Sequence, residues 1–344
     1  MERRKRLERL FGHHILWQKT VLLTQDINSD NMVSVLGNHE AWWVALGLSA
    51  GDQIEGKLYL PSDDDGKALD ITIIIPGYKG DFVLQEALYA SLLVKEGMAL
   101  LVLRHNHLRA YGDDVVSYVH CPERAAMMDY RYLGDSKTDF DFVKASHELI
   151  IALQVLDLDS VGNIHVIGHS WGARIALLAL SELTRKDLPA TKLIISKLKS
   201  LVVLGPWWEM REWQLRNRRM IGLIQEAKTH DFFKEMDISS FVIGMLQTAL
   251  QLHQIKPGDL SPGLSLSVIY SRQDEHLGST GFSDEILPVL SLLSRHQRMS
   301  VFCCDDMDSG IIGGRPVEAR DYYSYKVRNL VYELIMERNV EGVI

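Results

Sequence analysis

Ile164-His165-Val166-Ile167-Gly168-His169-Ser170-Trp171-Gly172-Ala173 is the stretch on which the reading of the chain turns. Its opening residues, Ile164 to Ile167, are mostly apolar and β-branched, the composition of a strand buried on both faces. Its middle is a G-x-S-x-G pentapeptide, and from Ala173 to Leu183 the apolar residues recur at helical spacing. A serine held between two glycines where a strand gives way to a helix has the layout of a nucleophile elbow. The small residues let the chain turn sharply and lift the serine hydroxyl above the sheet. The helix N-terminus adds partial positive charge beside a developing anion. A glycine-rich turn capped by serine is the plainer alternative, and the matching strand and helix on either side count against it.

Outward from this point the pattern repeats. Asp70–Ile75, Met98–Leu103, Leu201–Leu204, Leu266–Tyr270 and Ser300–Cys303 are further short apolar runs. Phe142–Leu156 and Glu318–Met336 are amphipathic helix candidates, the latter with Val327, Leu330, Val331, Leu334 and Ile335 on one face. Strand–helix alternation predicts an α/β fold with a mostly parallel, doubly wound sheet and right-handed crossovers. Before residue 61, Gln53–Leu60 reads as part of an antiparallel edge. One interval breaks the rhythm: Trp207–Leu260 separates two strands by far more than a crossover needs and is helical in pattern. It predicts a helical cap over 207–260, inserted into a core of 1–206 and 261–344, with 1–52 as N-terminal arm and edge strands.

Composition narrows the function. The 344 residues carry a net charge of −8, which opposes sequence-independent nucleic-acid binding. Three cysteines form no disulfide framework, so a reducing cytoplasm is the expected compartment. No apolar run reaches the length of a membrane span, so integral membrane association is not expected. The arm Met1–Leu10 is basic without a signal-type apolar block behind it and reads as a short basic helix on the domain surface. A membrane- or partner-binding arm is the other reading. No dinucleotide fingerprint or phosphate loop occurs, His105-x-His107 is too short a pattern for a metal, and no cofactor is expected.

On Gly168–Gly172 and its flanks the chain resembles the α/β-hydrolase superfamily, from about residue 53 to the end. Pro76-Gly77-Tyr78-Lys79-Gly80 resembles the family's oxyanion loop, although many members carry His-Gly where Pro76-Gly77 stands. The resemblance implies that the backbone amides of Tyr78 and Trp171 form the oxyanion hole, each donor contributing on the order of 3 kcal/mol to the transition state. It also implies that Asp274, in the loop after Leu266–Tyr270, is the acid, with Glu209 as a lesser candidate.

The family's histidine follows the last strand. Here that loop reads Cys304-Asp305-Asp306-Met307-Asp308-Ser309-Gly310, and no histidine occurs beyond His296. Three readings stand. A histidine from elsewhere reaches Ser170, the candidates being His276, His105, His107, His230 and His253, because a triad is defined by roles and not by sequence position. Alternatively the elbow and oxyanion hole stabilise an enolate in a lyase, cyclase or acyl-transfer reaction, with Asp274 or Asp308 moving protons. In the third reading catalysis is lost and the pocket binds a small molecule.

Trp207, Trp208 and Trp213, with the cap's methionines, predict an apolar and adaptable substrate wall. Arg211, Arg216, Arg218 and Arg219 could clamp a carboxylate or phosphate, or simply form a solvated helix face. The expectation is therefore a serine hydrolase of an ester, thioester or related acyl bond in a small, partly apolar molecule. The sequence specifies no oligomeric state.

Overall fold

The computed structural model describes residues 2–21, 40–49, 52–61, 66–76, 89, 92–104, 142–169, 171–186, 188–205, 260–270, 298–303, 311–312, 315–316 and 325–337. In chain order these form α1 (Glu2–Phe11), β1 (Ile15–Val21), β2 (Glu40–Ser49), β3 (Asp52–Leu60), β4 (Leu69–Ile75), β5 (Ala99–Arg104) and α2 (Phe142–Gln154). There follow β6 (Val161–His169), α3 (Trp171–Arg185), α4 (Pro189–Lys197), β7 (Leu198–Leu204), β8 (Ser265–Tyr270) and β9 (Met299–Cys303). A two-residue ribbon of β10 (Ile311–Ile312) and β11 (Arg315–Pro316) precedes α5 (Tyr325–Ile335).

Nine strands make one sheet in the order β1-β2-β3-β5-β4-β6-β7-β8-β9. From β5 to β9 every neighbour is parallel, while β1, β2 and β3 join by antiparallel pairing. The mostly parallel α/β sheet and its antiparallel N-terminal margin thus match the sequence expectation. β3 lies third from the edge, covered by β2 and β1.

Residue parity divides the sheet into two faces. Ile71, Ile73 and Ile75 of β4, with Ile164 and Val166 of β6, Leu201 and Val203 of β7 and Leu266 and Val268 of β8, pack with α1, α2, α3 and α4 in one core. The alternate residues Ile74, Ile167, Val202 and Ile269 are buried on the other face, as are Val327, Leu330 and Val331 of α5. Strands buried on both sides are mostly apolar at successive positions, which is why the parallel strands read as near-continuous runs, with Thr72, His165, Ser200 and Ser267 as buried polar exceptions.

The N-terminal arm is a helix, and it is docked. Leu7, Leu10 and Phe11 are buried, the Asp157 amide donates to the Leu10 carbonyl at 2.7 Å, and Arg6 donates to the Pro61 carbonyl at 2.7 Å. Arg9 donates to the Lys67 carbonyl. The apolar face that a membrane arm would need is occupied by the protein's own core. No helix among the described residues is long and apolar enough to cross a membrane. The expected cap, 207–260, lies outside the described residues except for Leu260, which is buried.

Candidate active site

The parallel strands end along one edge of the sheet. Ile75 of β4 pairs with Gly168 of β6, His169 with Leu204 of β7, Leu204 with Ile269 of β8, and Tyr270 with Cys303 of β9. Every loop that the sequence marks for chemistry leaves from this edge. Tyr78 follows Ile75 by three residues, Ser170 follows β6 directly, Asp274 follows Tyr270 by four, and Asp308 follows Cys303 by five. In open α/β sheets this is where ligands bind.

At the elbow itself β6 ends at His169 and α3 begins at Trp171, leaving a single residue, Ser170, between strand and helix. The two glycines show how tight the turn is. A Cβ at Gly168 would stand 2.7 Å from the Ala173 Cα and 2.7 Å from the Gly172 carbonyl oxygen. A Cβ at Gly172 would stand 2.7 Å from the Ile75 carbonyl carbon and from the Pro76 oxygen, and closer still to the Ile75 oxygen. The first glycine thus lets the helix fold back onto its strand, and the second lets the helix press against the end of β4. Neither obstacle is a side chain that could rotate away. A serine-capped turn has no such requirement at both positions.

Gly172 also brings the β4 end against the first turn of α3. The oxyanion candidates, the Tyr78 and Trp171 amides, stem from these two segments. Gly205, directly after β7, adopts φ +50 and donates its amide to the Ile269 carbonyl at 2.8 Å, which closes the β7 end onto β8.

Ser170, Tyr78, Asp274, His276, His105, His107, Trp207, Trp208 and Trp213 lie outside the described residues, as do Glu209, Asp308, His230, His253 and the four cap arginines. Trp171 is placed as the first residue of α3. Of the thirteen histidines, five are described, and four of these stand away from the elbow. His13 and His14 sit beside β2, where His14 Nδ1 lies 3.3 Å from the Gly47 carbonyl, four strands or about 19 Å from β6. His147 pairs with Glu182 at 3.3 Å, about 18 Å along α3 from its start. His165 is buried midway along β6, four residues before its end, and is hydrogen-bonded through Nδ1 to the Ser200 hydroxyl at 2.8 Å. Burial lowers its pKa from 6.5 to about 4, with Lys199 lowering it further while Asp70 and Glu337 pull it back. His169 adjoins Ser170 in the chain.

Sequence reading passed over Arg174. It lies in the first turn of α3 and is completely buried. A lone arginine among Ala173, Ile175, Ala176 and Leu177 was the available signal. Among the described residues no group of histidine, cysteine, aspartate and glutamate could hold a metal ion.

No family model matches the chain, and no curated protein matches it. Solved structures do. A 2,6-dihydroxy-pseudo-oxynicotine hydrolase is similar over 87% of this chain and 68% of its own, at 13% identity and a TM-score of 0.53. Fungal esterases from Rhizomucor miehei are similar over 92% of this chain and 91% of theirs, at 12% identity and a TM-score of 0.54. At such identities the likeness establishes the fold: this chain has the α/β-hydrolase fold to which Gly168–Gly172 pointed.

Proposed function

We propose that the protein is a serine hydrolase acting on an ester, thioester or related acyl bond in a small, partly apolar molecule. The observation that carries this reading is the pair Gly168 and Gly172, each pressed against backbone so that only a side-chain-free residue fits on either side of Ser170. The hydrolase and esterases that share the fold support it. In this mechanism the Ser170 hydroxyl attacks the carbonyl carbon as its proton passes to a base. The Tyr78 and Trp171 amides hold the oxyanion, and the base returns the proton to the leaving group. Water then cleaves the acyl-serine by the same steps. Asp274 orients the base, for which His276, His105 and His107 are the candidates, and the 207–260 segment with Trp207, Trp208 and Trp213 supplies the apolar wall.

A fluorophosphonate probe should label Ser170 in the folded protein and fail to label Ser170→Ala. An unlabelled folded protein that also turns over no short acyl ester would overturn the reading. The absence of histidine beyond His296 favours one alternative, a non-hydrolytic reaction through an enolate held in the same oxyanion hole. In that case Ser170→Ala keeps substantial activity, whereas substitution of Asp274 or Asp308 removes it.

A further inference from the structure

The same strands that carry the elbow at one edge line a cavity of about 520 Å³ at the other. It opens where β4, β5, β6 and β7 begin and where α5 ends. None of the residues named for the proposed hydrolysis is among those lining it.

One buried polar side chain, His165, and two half-buried ones, Asp70 and Asn163, line the cavity. His165 is 4% exposed, and Ser200, which holds its Nδ1, is 2% exposed. Beside them the Asn163 amide donates to Asp70 Oδ1 at 2.6 Å and its Nδ2 donates to Oδ2 at 3.2 Å. Gly162 admits that carboxylate, since a Cβ there would collide with Asp70 Oδ1. His165 Nε2 has no hydrogen-bond partner among the described residues, although the ring lines the cavity. Burial keeps the ring neutral at physiological pH. In the tautomer whose Nδ1 accepts from the Ser200 hydroxyl, Nε2 carries the proton and can donate to a ligand in the cavity.

Charge at the rim is mixed. Lys199 lines the cavity, and its side chain has neither ion pair nor hydrogen bond among the described residues. Glu96 accepts from the Tyr332 hydroxyl at 2.7 Å, and Glu337 lies 3.5 Å from Arg298. Lys67 and Lys199 stand against Asp70, Glu96 and Glu337 in the lining, and Arg298, outside it, pairs with Glu337. Such a rim has little net attraction for a simple anion or cation but complements a molecule that carries both charges. Leu69, Met98, Ile335 and Met336 complete the wall with apolar surface.

We propose that this cavity binds a free α-amino acid with an apolar side chain. Lys199 and His165 take its carboxylate, Glu96 and Glu337 take its ammonium, and the side chain lies against Met98 and Ile335. The site is separate from the elbow and would serve as an effector site on the sheet's N-terminal edge.

Calorimetric titration of the full chain with L-leucine tests this directly. Saturable binding is expected, at least about tenfold tighter than that of isocaproate, which lacks the ammonium, and of isopentylamine, which lacks the carboxylate. Lys199→Gln and Glu96→Gln should each weaken leucine about tenfold, while Ser170→Ala leaves it unchanged. No saturable binding of leucine, equal binding of either analogue, or full binding by a folded Lys199→Gln/Glu96→Gln protein would overturn the proposal. The two analogues test the unsubstituted protein, so the outcome does not depend on how the variants fold.

Discussion

Gly172→Ala is the most direct test of how the elbow is built. A methyl group there lies 2.7 Å from the Ile75 carbonyl carbon and the Pro76 oxygen, where ordinary contact begins at 3.4 Å. The first turn of α3 must therefore withdraw from β4 by at least about 0.7 Å, the difference between those two distances. Both obstacles are backbone atoms in the middle of a parallel sheet and cannot rotate aside. Overpacking of this kind costs about 1–3 kcal/mol, and the upper part of that range applies because no flexible side chain absorbs the strain. Alanine recovers up to about 1 kcal/mol of helix preference over glycine. The net expectation is a loss of about 2 kcal/mol, which lowers Tm by roughly 3 °C in a chain of this size. The same displacement moves Ser170 against the β4 end, and a misplacement near 1 Å lowers labelling by a fluorophosphonate by about a hundredfold. Urea denaturation measures the first effect and probe kinetics the second. Gly263→Ala is the control, because its Cβ would meet only the Ser261 hydroxyl at 3.9 Å. If Gly172→Ala were as stable as the parent, and as stable as Gly263→Ala, the close approach of α3 to β4 would be wrong.

Two further predictions concern the scaffold. His165 has a folded pKa near 4 against 6.5 when unfolded, so between those values the unfolded chain binds the extra proton. Stability should therefore fall as pH drops from about 6.5 to about 4, by on the order of 3 kcal/mol from this residue. Urea midpoints across that window should show a shallower slope for His165→Gln, and an unchanged slope would refute the assignment. Leu7 is fully buried under the sheet, so Leu7→Ala should cost about 2–5 kcal/mol. Chemical denaturation showing a neutral substitution would mean that α1 is a detachable arm.

The parallel half of the fold was legible because its strands are buried on both faces. Ile71 to Ile75 and Leu201 to Leu204 present no polar interruption except Thr72, and the structure places them within a residue or three of the run ends. β1 was not legible. Gln18 and Lys19 interrupt Ile15–Val21, as an outermost antiparallel strand allows, and β1 has β2 as its sole neighbour in the sheet. α4 was missed for a related reason. Only Thr191 and Ile194 of Pro189–Lys197 are buried, while Leu193 is exposed, so the segment has almost no apolar stripe to read. The elbow could be found because five contiguous residues encode it. The His165–Ser200 bond could not, since it joins residues 35 apart through a strand register that no local pattern reveals.

That register also limits what a catalytic base must span. β5 and β8 each lie two strands from β6, on opposite sides, or about 10 Å away. An imidazole carried on the residue directly after either strand falls short of a hydroxyl at the end of β6. A base must come from further along a loop that folds back over the edge. His105 follows Arg104 immediately and is the least suited of the candidates, whereas His107 and His276 have three and six residues of reach beyond their strands. Asp274 leaves from β8, so a base from the β5 side would have to cross the elbow to reach that acid, because the imidazole of a triad stands between serine and carboxylate. His276, two residues from Asp274, would have to turn toward Ser170 while its close neighbour orients it. Whichever of His107→Ala and His276→Ala abolishes fluorophosphonate labelling of Ser170 without unfolding the sheet identifies the base, and loss with neither refutes a base from these two loops.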